Sequence, residues 1–151
     1  MAGLVSMVGS QYEHLDDVLN QYRSYLDEAP DRLRISGKPL GKANGEQVGW
    51  LAYYDERRVE LKALVKYTDM RVASVRGRLY RQYTEIHSRE LSDRMKDKYI
   101  DNDNDYLVMN ELLIEIEEVY EKMVAVVEAF KARGFALRNL TELAVHEINE
   151  V

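Results

Sequence analysis

The strongest constraint in this chain is a run of apolar residues at alternating steps of three and four. Met109, Leu112, Ile116, Val119, Met123, Val126 and Phe130 keep that alternation over three heptads. Leu113, Tyr120 and Val127 form a second row, seven residues apart. The combined stripe is wider than a two-stranded seam needs, so it favours a bundle or a higher-order assembly. The methionines in it read as core filler rather than as a binding surface. The expected fold is all-α: long helices in a bundle or coiled-coil-like arrangement, forming a single helical domain over 1–151.

The rest of the chain fits the same class. Ser10 and Glu13 have capping-box spacing, and Tyr12, Leu15, Leu19, Tyr22 and Leu26 then recur at helical intervals. This predicts a first helix over 10–29, ended by Pro30. Gly37, Pro39, Gly41, Gly45 and Gly49 make 31–49 read as a glycine-rich basic loop, a linker rather than a nucleotide-binding loop, since no GxxxxGK[ST] pattern is present. A long basic helix is expected over 50–98. Its seam is Leu61, Val65, Val72, Val75, Leu79 and Ile86, with Thr68 and Gln82 filling the gaps and Gly77 weakening it locally. Asp101-Asn-Asp-Asn-Asp105 reads as a turn with an acidic cap. A calcium loop would need Gly and Glu where Tyr106 and Leu112 stand. The acidic heptad helix follows over 105–133, closed by Gly134, and a short amphipathic helix over 135–149 carries Leu137, Leu140, Leu143, Ala144 and Ile148.

Charge is unevenly placed. The total is −6, yet 62–81 holds six basic residues and one acidic, whereas 99–128 holds one basic and nine acidic. Such asymmetry suggests a polyanion-binding face beside an acidic face turned to solvent or protein. The competing reading is two solvated helices that pair with each other.

Chemistry is sparse. There is no cysteine, which excludes disulfides, thiol nucleophiles and thiolate metal sites. His14, His87 and His146 lie outside any known ligand spacing, and Glu142 and His146 read as a surface pair one turn apart. No GxSxG, GxGxxG, HExxH or ExxH pattern appears, so no enzymatic role, cofactor or metal is expected. No membrane span or signal peptide is expected either.

A binding surface is the remaining candidate. On a helical wheel Arg58, Lys66 and Arg76 fall within about 40° of Lys62, and Tyr80 shares their sector. Arg71 and Arg78 form a second row opposite, and Arg81 adds to the segment's charge. Such groups supply sequence-independent phosphate attraction. Tyr67, Tyr80 and Tyr83 could stack on unpaired bases, or else pack as core rims with their hydroxyls reaching water.

Phe130-Lys-Ala-Arg-Gly-Phe-Ala-Leu-Arg-Asn-Leu140 resembles the C-terminal KxRGFA segment of the phage recombination mediator family UvsY. Leu61-Lys-Ala-Leu-Val-Lys-Tyr67 resembles that family's LKARLDY motif, which is linked to single-stranded DNA binding. Ser92-Asp-Arg-Met-Lys96 and the Tyr22–Leu26 region add to the likeness. Lys62 matches the motif's basic residue, whereas Leu64 replaces its Arg and Lys66 stands where the family can have Asp. The 31–49 stretch looks like an insertion. The resemblance implies a ring-like homo-oligomer in the host cytoplasm that binds single-stranded DNA. Such a protein helps displace the phage single-strand-binding protein and loads the phage recombinase.

On that basis Arg58, Lys62, Lys66, Arg71, Arg76, Arg78 and Arg81 are the expected phosphate contacts, with Tyr67 and Tyr80 stacking on bases. Met109, Leu112, Ile116, Val119, Met123, Val126 and Phe130 form the packing or assembly seam. Arg133, Gly134 and Phe135 are expected to fix a turn that docks the final helix. The alternative is a structural helical adaptor that binds no DNA and works through its acidic helix.

Overall fold

The computed structural model describes residues 14–86 and 91–150. Among them the chain forms four helices and no strand: α1 (Leu15–Leu33), α2 (Leu40–Ile86), α3 (Asp93–Asp101) and α4 (Asn104–Glu150). The all-α expectation holds. The helix start at Ser10, its capping partner Glu13, Tyr12, His87 and the side chain of Ile86 lie outside the described residues.

α2 and α4 have 47 residues each, roughly 70 Å of helix. They form an antiparallel hairpin. At one end the Asn44 amide donates to the Thr141 hydroxyl at 3.1 Å. At the other, Arg78 reaches Asp105 at 3.0 Å. α1 packs along the first half of this hairpin, and α3 sits against its far end.

The heptad seam is used inside the chain. Ile116, Val119, Met123, Val127 and Phe130 of α4 are buried against Tyr54, Leu61 and Leu64 of α2 and against Leu15, Val18, Leu19, Tyr22 and Ala29 of α1. Leu112, Tyr120 and Val126 flank this core, and Met109 is half-buried. The wide stripe thus meets two helices, as its width requires. Each large apolar side chain so buried contributes about 1.5–3 kcal/mol. On α2, Leu61, Thr68 and Leu79 are buried as their spacing indicates, while Val65, Val72 and Val75 are only half-buried. Leu64 is fully buried. The buried Thr68 hydroxyl donates to the Leu64 carbonyl at 2.9 Å, so no polar group is stranded there.

Several boundaries differ from expectation. α1 continues through Pro30 to Leu33. Proline removes one backbone donor and disfavours helix before it, but Ala29 is buried and Leu33 packs on the core, which holds the last turn in place. The expected loop over 31–49 shrinks to the link between Leu33 and Leu40. Gly37, at φ +79°, makes its turn, and the Pro39 carbonyl accepts the Ala43 N–H at 3.0 Å to start α2. Gly41, Gly45 and Gly49 are helical. Their propensity penalty of up to about 1 kcal/mol each is outweighed by the packing of Ala43, Trp50 and Tyr54. The helix expected over 50–98 stops at Ile86, and a separate α3 starts under a Ser92 cap, whose hydroxyl accepts the Met95 N–H at 3.3 Å. The turn expected over Asp101–Asp105 is confined to Asn102 and Asp103, and it carries the expected acidic cap: the Asp103 carboxylate accepts the Asp105 N–H at 2.9 Å.

The expected break at Gly134 does not exist; α4 is continuous to Glu150. Gly134 serves a close approach instead. A Cβ there would lie 3.0 Å from the Gln47 amide nitrogen. Arg133, expected in a turn, is a buried clamp. It donates to the Leu33 carbonyl at 3.1 Å, to the Ala43 carbonyl at 3.4 Å and to the Gln47 side-chain oxygen at 2.7 Å. It therefore ties the end of α1 and the start of α2 to α4. Phe135 is 68% exposed and is not part of the buried core.

Candidate nucleic-acid interface

The second half of α2 presents the basic segment, and the structure divides it in two. Lys62, Lys66 and Arg81 are exposed and make no ion pair among the described residues. Lys62 and Lys66 are one helical turn apart, so their ammonium groups lie on one face. Arg71 is exposed as well, and Tyr67 is half-buried beside Lys66. Arg58 is turned back on its own helix and donates to Asp55 at 2.8 Å. That hydrogen bond is the main reason its guanidinium pKa rises.

The remaining basic residues face carboxylates. Arg76 donates to Asp101 at 3.0 Å and to Asp97 at 3.2 Å. Its guanidinium also lies 5.4 Å from the centre of the Tyr106 ring. The Asp101 hydrogen bond is the leading cause of its raised pKa. Arg78 donates to Asp105 at 3.0 Å. The Tyr80 hydroxyl donates to Asp93 at 2.7 Å, while the Lys96 ammonium sits 4.9 Å from its ring centre. Tyr83 donates to Asp103 at 2.8 Å and stacks on Tyr99. Hydrogen bonding to these carboxylates raises both phenol pKa values. The pairing of basic with acidic helices, one of two readings of the charge pattern, is therefore real at the far end of the hairpin. It is absent at Lys62 and Lys66.

A second polar assembly joins α1 to α2, and no motif pointed to it. Arg32 lies 4.1 Å from the centre of the Trp50 ring, and Arg57 lies 4.7 Å from that of Tyr53. Tyr25, Tyr53, Trp50 and Tyr54 meet edge to face or tilted, and Tyr54 stacks on Phe130. The Tyr54 hydroxyl donates to the Tyr25 carbonyl at 2.9 Å and accepts from Arg32 at 3.0 Å. Arg57 is hydrogen-bonded to Glu60, which also accepts the Tyr22 hydroxyl. Burial, then Glu60, pushes the Tyr22 phenol far above its usual range. Burial opposes the charge on Arg57, but the Glu60 contact outweighs it and raises that pKa. These contacts are the interhelical glue of α1. The signal that could have revealed them is tyrosine surplus: eleven Tyr against two Phe implies rings that need polar neighbours.

Two other surfaces stay uncovered. Leu107, Val108 and Ile114 are exposed on α4 near Glu111 and Glu115. Further along α4, Phe135, Leu140, Leu143, Val145 and Ile148 are exposed. The expected Glu142–His146 pair is replaced by two others: Arg138 pairs with Glu142 at 3.6 Å and His146 with Glu150 at 3.2 Å. His14 is exposed. Among the described residues no three His, Asp or Glu side chains could hold a metal together, and no helix is long and apolar enough to cross a membrane. Compared with protein-family models, curated protein sequences and solved structures, the chain matches none.

Proposed function

We propose that this chain is a non-enzymatic, single-stranded DNA-binding recombination mediator. It works as a ring-like homo-oligomer in the cytoplasm of a phage-infected cell and loads a phage recombinase in place of the phage single-strand-binding protein. The observation that carries the reading is the open basic face of α2, where Lys62 and Lys66 point to solvent inside the motif resembling LKARLDY. Arg71 and Arg81 extend the charge along α2, and Tyr67 is placed to add stacking. Repeating this face around an oligomer multiplies weak contacts on one strand into avidity.

The segment resembling KxRGFA has a separate role: Arg133 and Gly134 set the hairpin geometry. Phe135, Leu140, Leu143 and Ile148 then offer the apolar surface on which copies associate, since an exposed patch of this kind marks an interface. The adaptor reading is favoured by one observation, the exposed acidic and apolar face around Val108, Ile114 and Glu111 on α4.

Titration of a labelled single-stranded oligonucleotide at two salt concentrations tests the proposal. Binding that weakens steeply with salt supports it. No binding at low salt by the assembled protein leaves the adaptor reading.

A further inference from the structure

Asp93, Asp97, Asp101 and Asp105 recur every fourth residue across α3 and the start of α4. Within α3 that spacing places Asp93, Asp97 and Asp101 about 6 Å apart along one face, and Asp105 lies beyond the turn in α4. On one side of α2, Tyr80 partners Asp93 and Arg76 partners Asp97 and Asp101, whereas Arg78, on the opposite side, meets Asp105 of α4. Asp103 adds Tyr83. Guanidinium forks and phenol hydroxyls are the groups that take phosphate oxygens, and the tyrosine rings are the groups that take bases. Arg76, Tyr80 and Tyr83 are each held by a carboxylate.

These contacts are built to exchange. The Arg76 side chain is 38% exposed, and its Asp97 and Asp101 partners are 56% and 58% exposed. Exposed ion pairs of this kind hold weakly and are screened by salt. α3 has nine residues, and Ile100 is its one buried apolar side chain. An element with so little apolar anchorage opens more easily than the α2–α4 hairpin, whose core it does not share.

We infer that Arg76, Tyr80 and Tyr83 form a second single-strand site, closed by the Asp93–Asp103 segment as an internal phosphate mimic, and that single-stranded nucleic acid displaces this segment. The inference rests on the single-strand reading of the α2 face. Lys62, Lys66 and Arg81 make the first, open contact; the closed site joins once the carboxylates give way. The occupant is a flexible polyanion because duplex bases would not expose their faces to the tyrosines.

The test is fluorescence anisotropy with labelled oligo-dT on the full chain, at several salt concentrations. Asp97→Asn/Asp101→Asn keeps side-chain shape and removes the mimic's charge at Arg76. It is compared with Glu117→Gln/Glu121→Gln, which removes exposed carboxylates elsewhere on α4. The aspartate variant should bind about tenfold tighter at low salt, and the glutamate control less than about twofold. The salt slope should steepen from about −2, for three open cations, to about −2.8 for four. Adding Arg76→Ala should cancel the gain. In the wild-type chain, oligo-dT should reduce hydrogen-exchange protection over α3, a readout that stands even if the aspartate variant folds poorly.

Equal behaviour of the aspartate variant and the glutamate control, or a gain that survives loss of Arg76, overturns the inference while leaving the open site intact. So does unchanged α3 protection on a strand that binds. Failure of both wild type and aspartate variant to bind at low salt overturns the inference and the single-strand reading together.

Discussion

Gly77 and Gly134 both lie inside long helices, and changing each to alanine should move stability in opposite directions. Alanine in a helix interior is favoured over glycine by about 0.8–1 kcal/mol. At Gly77 nothing lies within 4 Å of the new Cβ, so Gly77→Ala should realise most of that gain. At Gly134 the Cβ would meet the Gln47 amide nitrogen at 3.0 Å. That amide cannot retreat freely. It donates to the Phe130 carbonyl at 2.6 Å, and its oxygen accepts from Arg133 at 2.7 Å. Moving it weakens a hydrogen bond from a buried charged group, a loss of about 1.5–3 kcal/mol. The propensity gain offsets part of this, leaving Gly134→Ala roughly 1 kcal/mol less stable than wild type. Urea melts followed by circular dichroism should therefore separate the two variants by about 2 kcal/mol. In thermal melts the separation should be about 4–8 °C at this chain length. Stabilisation of Gly134→Ala equal to that of Gly77→Ala would refute the close approach, and with it the reason α4 carries a glycine without breaking.

Three further outcomes follow from the same packing. Arg133→Met removes two short hydrogen bonds from a buried guanidinium but also relieves the desolvation of its unpartnered Nη2; the balance is a loss of about 2–3 kcal/mol in urea melts, and a variant as stable as wild type would remove the clamp from the account. Lys62→Ala/Lys66→Ala should weaken single-strand binding and lower the salt slope by about 1.4, with the oligomer mass unchanged in light scattering. The Tyr22 phenol, raised from its ordinary 10.0 by burial and by Glu60, stays protonated in the fold while the unfolded chain ionises. Its stabilisation is whole below pH 10 and is lost as pH rises beyond it, so Tyr22→Phe should show a shallower alkaline decline in melting temperature than wild type.

The periodic parts of this fold were readable because burial follows the helix repeat. Ile116, Val119, Met123 and Phe130 are buried where a spacing of three and four puts them. Leu61, Thr68 and Leu79 follow the same rule on α2. The boundaries were not readable, since propensity is local and packing is not. Gly41, Gly45 and Gly49 look like loop residues until Ala43, among them, and Tyr54, just past them, are seen buried. Gly134 looks like a helix end until Gln47 is seen against it. Trp50, Tyr53, Arg32 and Arg57 carry no motif, because cation–π contacts between helices have no fixed sequence spacing.

Charge was half legible, and the missed half changes what a single strand would meet. A net charge of −6 and six cations over 62–81 looked like a contest between a binding face and a helix–helix pairing. The structure assigns the two readings to different turns of one helix. The aspartate period of four matches the helix repeat within α3, so Asp97 and Asp101 both meet Arg76 on one side of α2, while Asp105 of α4 meets Arg78 on the other. Lys62 and Lys66 lie 10 or more residues earlier on α2 than Arg76, at least 15 Å along the axis. That exceeds the Debye length at physiological salt, about 8 Å. The aspartates therefore screen their own partners while leaving the open lysines nearly undisturbed, and an acidic total is compatible with a local polyanion site.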